Sequence, residues 1–250
     1  MVVVFFSIIR LSLSPLIRRS MMPLNRLVLA AVVTASLTAT ALPAFSQTVR
    51  ITEVAPWGSG NSPYLSDWFE LTNTGSAAVS ISGWKMDDAS NAFGTSVALN
   101  GITSIAAGES VIFLETASPT TVGASFLSTW FGTSGGPRIG SYTGSGVGLG
   151  TSGDAVNIFD GSGALQAKVT FGASDATSPY QTFDNAAGLN NATISLLSEA
   201  GTNGAFVALN DAAEIGSPGL IAAVPGPESY AFMLAGLAVV GAIARKRNKN

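Results

Sequence analysis

Neither cysteine nor histidine occurs anywhere in the chain. Without cysteine there is no disulfide framework and no thiolate, so stability has to come from a packed core. Without histidine, Ser-His-Asp and Cys-His catalysis, His-ligated zinc and the usual general base near neutral pH are excluded. Charge is scarce as well. Asp, Glu, Lys and Arg make up 11% of the residues, and most of the basic ones sit at the two ends.

Those ends read as export signals. The chain opens with "MVVVFFSIIRLSLSPLIRR", and a second basic-then-apolar stretch begins at Met21 or Met22. It has a short basic region with Arg26, an apolar region from Leu27 to about Leu42, and small residues at Ala44 and Ser46. This is the layout of a secretory signal, so residues 1–46 are expected to be a signal helix cleaved after Ser46, with Met22 as the true start.

At the other end stand Val224, Pro225, Gly226, Pro227 and Glu228, then an apolar run from Tyr230 to Ala244 and a basic tail with Arg245, Lys246, Arg247 and Lys249. The run is shorter than the ~20 residues of a permanent anchor, and the basic cluster would stay cytoplasmic. The order of the three parts resembles the PEP-CTERM sorting signal of Gram-negative bacteria, although Gly226 stands where that motif most often has Glu. The resemblance implies export through the Sec machinery, transient insertion in the inner membrane by a helix over 230–244, and processing near residues 224–228 by an exosortase. An ordinary C-terminal anchor is the alternative.

Between the ends the balance changes. From about Gln47 to Pro225 there are four basic residues, Arg50, Lys85, Arg138 and Lys168, against fourteen acidic ones, a net charge of about −10 where the whole chain has −3. Such a surface repels phosphate backbones and argues against nucleic-acid binding. It suits solubility outside the cell and leaves room for a divalent cation.

Strand signals dominate this middle. "VRITEVA" is β-branched, "DWFELTN" sets Phe69 and Leu71 against Glu70, and "AVSISGW" sets Val79 and Ile81 against Ser80 and Ser82. With "TGSA" between them, the last two read as a hairpin. "SVIFLE", "DAVNIFD", "ALQAKVTFG", "ATISLLS" and "AFVALND" follow, bounded by Gly, Ser or Asn. Short, regularly punctuated strands with one wet face predict an antiparallel sandwich. The one helical suspect is Ser125–Gly132, a turn or two, and "GTSGGPRIGSYTGSGVGLG" reads as a long loop.

The ordered set "ITEVAP…DWFELTNTGSAAVSISGWKMDDA…SIAAGESVIFL…GLGTSGDAVNIFDGSG…KVTFG…ISLLSEAG…IGSPG" resembles the lamin tail domain, spanning nearly all of 48–222. The resemblance implies an all-β, immunoglobulin-like antiparallel β-sandwich of lamin-tail type with a non-catalytic binding or structural role. The exosortase link adds an association with exopolysaccharide, biofilm or other surface proteins.

Candidate sites are few. "GTSGG" satisfies G-x-S-x-G but lacks a following helix and a His partner. "SGWK" satisfies S-x-x-K at a strand end rather than a helix start, and "GSGVGLG" precedes no helix. Glu53 and Glu70 sit inside strand signals, where Glu is depleted. They read as structural acceptors; the alternative is a glycan hydrolase working with carboxylates alone, centred on Glu53, Glu70 or Asp154. Asp87, Asp88 and Asp160 are candidates for a calcium-dependent adhesion module, though without EF-hand spacing. Trp57, Tyr64, Trp130 and Tyr142 lie in loop-like sequence and are the candidate exposed aromatics for contact with sugar; packing over the sandwich ends is the other use for them. No cofactor is otherwise expected.

Overall fold

The β-branched and aromatic runs do form strands, and the Gly-, Ser- and Asn-rich breaks separate them. The structure, a computed structural model, describes residues 48–220 apart from 133–134, 145 and 175–176. The expected signal segment, 1–46, and sorting segment, 224–250, lie outside the described residues. Among the described residues, no helix is long and apolar enough to cross a membrane.

The elements in chain order are β1 (Val49–Ala55), α1 (Gly58–Asn61), β2 (Trp68–Asn73), β3 (Val79–Ser80), β4 (Lys85–Asp87), β5 (Val97–Ala98), β6 (Ser104–Ile105) and β7 (Ser110–Glu115). After them come α2 (Pro119–Phe131), β8 (Arg138–Tyr142), β9 (Asp154–Phe159), β10 (Leu165–Phe171), β11 (Tyr180–Gln181) and β12 (Phe183–Asp184). The last three are β13 (Ala192–Ile194), β14 (Phe206–Ala208) and β15 (Asp211–Gly216). One sheet runs β12-β1-β2-β7-β8 and a second β13-β10-β9-β4-β5; β11-β15-β14 form a small third sheet and β3-β6 a two-stranded one.

Alternation along each strand sends one set of side chains into the space between the two large sheets. Phe69, Leu71, Val111 and Phe113 from the first meet Met86, Val156, Ile158 and Val169 from the second in one apolar cluster. The sandwich is mixed rather than purely antiparallel. β7 and β8 run parallel, joined through α2, and so do β10 with β13 and β11 with β15.

The expected hairpin is replaced by a crossing between sheets. β2 is a central strand whose two edges are taken by β1 and β7, while β3 pairs with β6. Asn73 makes the exit. Its Oδ1 accepts the Gly75 amide at 3.0 Å, and its Nδ2 donates to the carbonyls of Ala77 (2.8 Å), Ile105 (3.1 Å) and Ala106 (3.0 Å). Because Asn73 is fully buried, Asn73→Ala is expected to cost about 2–3 kcal/mol by leaving those groups unpaired. Urea unfolding of the variant measures it.

Two further expectations change. The helix is thirteen residues, not a turn or two: Pro119 stands in its first turn and Gly132, at φ 71°, ends it. Val122, Phe126 and Trp130 fall on one stripe four apart, which is the apolar face that docks. The Gly/Ser-rich stretch after the helix contains β8, a strand whose Gly content hid it.

The wet face is also missing from the central strands. All six residues of β2 are buried. The outer face of the first sheet is covered by a second apolar cluster in which Trp68, Ile112 and Leu114 meet Phe126 and Trp130 of α2 and Ala208 of β14.

Candidate functional site

The buried outer face of the first sheet is where the buried glutamates gather. A bulge in β1 between Ile51 and Glu53 shifts its alternation, so Ile51 and Val54 both point into the main core and Glu53 turns outward. The resulting register sets Glu53 directly opposite Glu70 of β2. The two glutamates are 0% and 1% exposed.

Each is held by the chain's own donors. Oε1 of Glu53 accepts the Thr182 hydroxyl and, at 2.7 Å, the Ser217 amide. Oε1 of Glu70 accepts the Thr52 hydroxyl at 2.5 Å, and its Oε2 accepts the Gly219 amide at 2.6 Å. Two strand carboxyls from the start of the domain thus clamp the segment after β15 at its end. Oε2 of Glu53 has no hydrogen-bond partner among the described residues. Burial, reinforced by the neighbouring Glu70, pushes the Glu53 carboxyl well above its usual range. Burial lifts Glu70 to about 7, with the Thr52 hydroxyl and the Gly219 amide pulling the other way.

A third carboxyl, Glu214 on β15, lies in the same layer. It carries no sequence signal stronger than a Glu set in an apolar strand, the same signal that marks Glu53 and Glu70. The Trp68 indole (3.1 Å) and the Trp130 indole (3.4 Å) donate to the Tyr64 hydroxyl, which donates to Oε2 of Glu214 at 2.9 Å. Burial raises Glu214 to about 8.

The four candidate surface aromatics are interior: Trp57, Tyr64, Trp130 and Tyr142 are at most 3% exposed. For Trp57, Tyr64 and Trp130 the physical reason is the cover supplied by α2 and the third sheet. Trp57 stacks on Tyr180, with ring centroids 5.5 Å apart, and donates to the Gln181 carbonyl. Tyr142 packs in the main core against Phe69. None of the four offers a face to sugar.

Asp154 does not join the glutamate pair. It lies on β9, in the other sheet, and its carboxylate accepts the amides of Gly150, Ala89 and Ala155. The calcium candidates are likewise engaged in local turns. Asp87 accepts from Ser90, Ala92 and Thr95; Asp88 from the Ser90 amide; and Asp160 from Ser162, Ala164 and Gln166. Hydroxyl and amide donors from Ser162 and its neighbours hold the Asp160 carboxyl below its usual range. Among the described residues, no three acidic side chains come together as a metal-holding group. Adding excess EDTA is therefore expected to leave the melting temperature unchanged; a fall of more than a few degrees would show a bound cation.

A groove of about 790 Å³ lies between α2 and β8, lined among others by Gly101, Ile102, Gly123, Leu127, Pro137 and Ile139. The glutamate layer does not line it. The family model for the Lamin Tail Domain matches residues 43–173, more than half of the chain. No curated protein matches it.

Proposed function

The chain belongs to the lamin tail domain family, and on that premise we propose that it is an exported, non-catalytic β-sandwich, a binding or structural module of the cell surface or extracellular matrix. The observation that carries this reading is the sealed glutamate pair. A general acid and base have to reach a substrate, whereas Glu53 and Glu70 are buried and occupied by amides and hydroxyls of their own chain, two of them from the segment that follows β15. Their chemistry is tethering.

Export rests on the two ends of the sequence. The signal-like segment up to Ser46 and the Pro225–Pro227 break with its apolar run and basic tail support delivery by Sec and sorting by an exosortase. With Trp57, Tyr64, Trp130 and Tyr142 inside, any association with matrix polysaccharide has to use side chains other than these four.

The test is mass spectrometry of the mature ends in fractionated cells with and without exosortase. Ends near Gln47 and within 224–228, with the second end dependent on exosortase, are the expected result. Full-length protein held in the membrane of both strains would sink the sorting reading.

A further inference from the structure

We propose that a small pocket beside β12 is the seat of a basic side chain, lysine or arginine, carried by a partner polypeptide. Three observations lead there.

The first is a buried charge without a counter-charge. Asp184, on β12, is 5% exposed and lines a pocket of about 230 Å³. Its Oδ1 accepts the Ala186 amide at 2.6 Å, and its Oδ2 accepts the Asn203 side-chain amide at 2.9 Å. Both donors are neutral, and a carboxylate has roughly four acceptor sites, so acceptor capacity and the whole charge remain. Among the described residues no lysine or arginine pairs with Asp184; Arg138 pairs with Glu109 instead. The residue set opposite Asp184 on β1 is Glu53, another acid. A carboxylate taken out of water in this way favours a cation that donates to it.

The second is that the pocket is already built. Asn185 is buried and fixes the turn that forms one wall. Its Nδ2 donates to the Ile51 carbonyl at 2.5 Å and to the Leu189 carbonyl at 2.9 Å, and its Oδ1 accepts the Leu189 amide at 3.2 Å. The Asp184 amide donates to the Leu196 carbonyl at 2.8 Å, which holds another wall. Walls fixed in advance lower the ordering cost of binding. A volume of about 230 Å³ lies under the roughly 300–1,000 Å³ of a drug-sized ligand site, so the pocket takes one side chain rather than a chain of sugars.

The third is the apolar rim. Leu189 and Leu196 line the same pocket and are 57% and 55% exposed. Two leucines beside one carboxylate suit an ammonium or guanidinium on an aliphatic stem, which lays its methylenes on apolar surface and its head on the charge. The net charge of about −10 between residues 47 and 225 draws a basic partner and repels an acidic one.

This site does not depend on the export reading, since a domain kept inside the cell would hold the same pocket. The test is fluorescence anisotropy of a dye-labelled, capped peptide Gly-Ala-Lys-Ala-Gly titrated with the full chain, beside the same peptide with norleucine for lysine. The lysine peptide is expected to bind at least tenfold more tightly. Asp184→Asn should weaken it at least tenfold, whereas Asp160→Asn, which removes the same charge from a turn near the surface, should change it less than twofold. If Asp184→Asn folds poorly, Leu196→Lys supplies the pocket with its own ammonium and should block the peptide, while Leu65→Lys, between α1 and β2, should not. Equal affinity for the two peptides, or equal losses within either pair of variants, overturns the proposal by making the attraction diffuse. Butylamine that displaces the peptide at equal concentration overturns it as well, by making the ligand a free amine. Binding that appears only after Arg245, Lys246, Arg247 and Lys249 are all changed to Gln also overturns it, by making the chain's own tail the occupant.

Discussion

Raising the pH from 5 to 8 is expected to lower the melting temperature by on the order of 10 °C, the reverse of ordinary acid denaturation. Glu70 is raised to about 7 and Glu214 to about 8, and Glu53 lies well above its ordinary 4.5. For a carboxyl raised in this way the folded state holds its proton more tightly than the unfolded one. Stability is then complete below about pH 4.5 and drains away as pH climbs through the folded values. At about 1.4 kcal/mol per pH unit, Glu70 alone accounts for roughly 3 kcal/mol over its window. For a domain of this size each kcal/mol moves the melting point by about 2–4 °C. Asp67 and Glu115 are shifted in the same sense by burial. Glu109 and Asp160 are shifted the other way by their partners, but both are near the surface, where solvent screens such effects.

Glu70→Gln is the decisive variant. The amide oxygen still accepts a hydrogen bond, and there is no charge left to bury, so the variant should match the parent at pH 5 and melt higher at pH 8. Thermal scans across this range check both statements, and a parent profile that is flat or rises with pH would refute the buried-acid account. The same protein tests catalysis: glycan hydrolysis by the parent that vanishes in a folded Glu70→Gln would restore the hydrolase reading.

Trp130→Ala is expected to cost about 3–5 kcal/mol, the range for emptying a buried aromatic site. Trp130 touches Trp68, Phe126 and Phe206 edge-on or tilted, and a Cβ at Gly216 would stand 3.0 Å from its ring. It is the side chain through which α2, β2 and the β14–β15 ribbon share one cluster. Removing it should also admit water to Glu214 and Glu53 and so flatten the pH profile. Denaturant unfolding at pH 5 and pH 8 reads both effects. Trp130→Phe keeps a ring in the cluster but loses part of the indole's volume and the long bond to Tyr64, at a cost of about 1–2 kcal/mol. A Trp130→Ala protein as stable as the parent would mean that α2 is an ornament on the sandwich.

The strands were legible because period-two alternation and Gly/Ser/Asn punctuation are local properties. "ALQAKVTFG" shows it well: Ala167, Val169 and Phe171 are buried and the residues between them half-buried. The helix was half legible. Its stripe at 122, 126 and 130 is helical, but Thr, Ser and Gly between those positions weaken the signal. β8 was illegible because Gly140 and the glycines around it lower strand propensity, while the strand is held by pairing with β7. The hairpin after β2 misled for a related reason: "NTGS" turns the chain, but the turn does not say which partner awaits, and both edges of β2 were already filled.

The sequence by itself determined a strand-rich, cysteine- and histidine-free, acidic domain, because composition and short-range periodicity depend only on neighbours along the chain. Tertiary structure alone decided that the outer face of the first sheet is covered, that four aromatics lie inside, and that Glu53 meets Glu70. Those outcomes depend on a bulge that sets the β1–β2 register, and on a helix and late strands that bring Trp130, Glu214 and Ser217 onto a sheet begun far earlier in the chain. Local alternation marks the face that meets the main core, but whether the opposite face is also covered depends on what arrives from elsewhere.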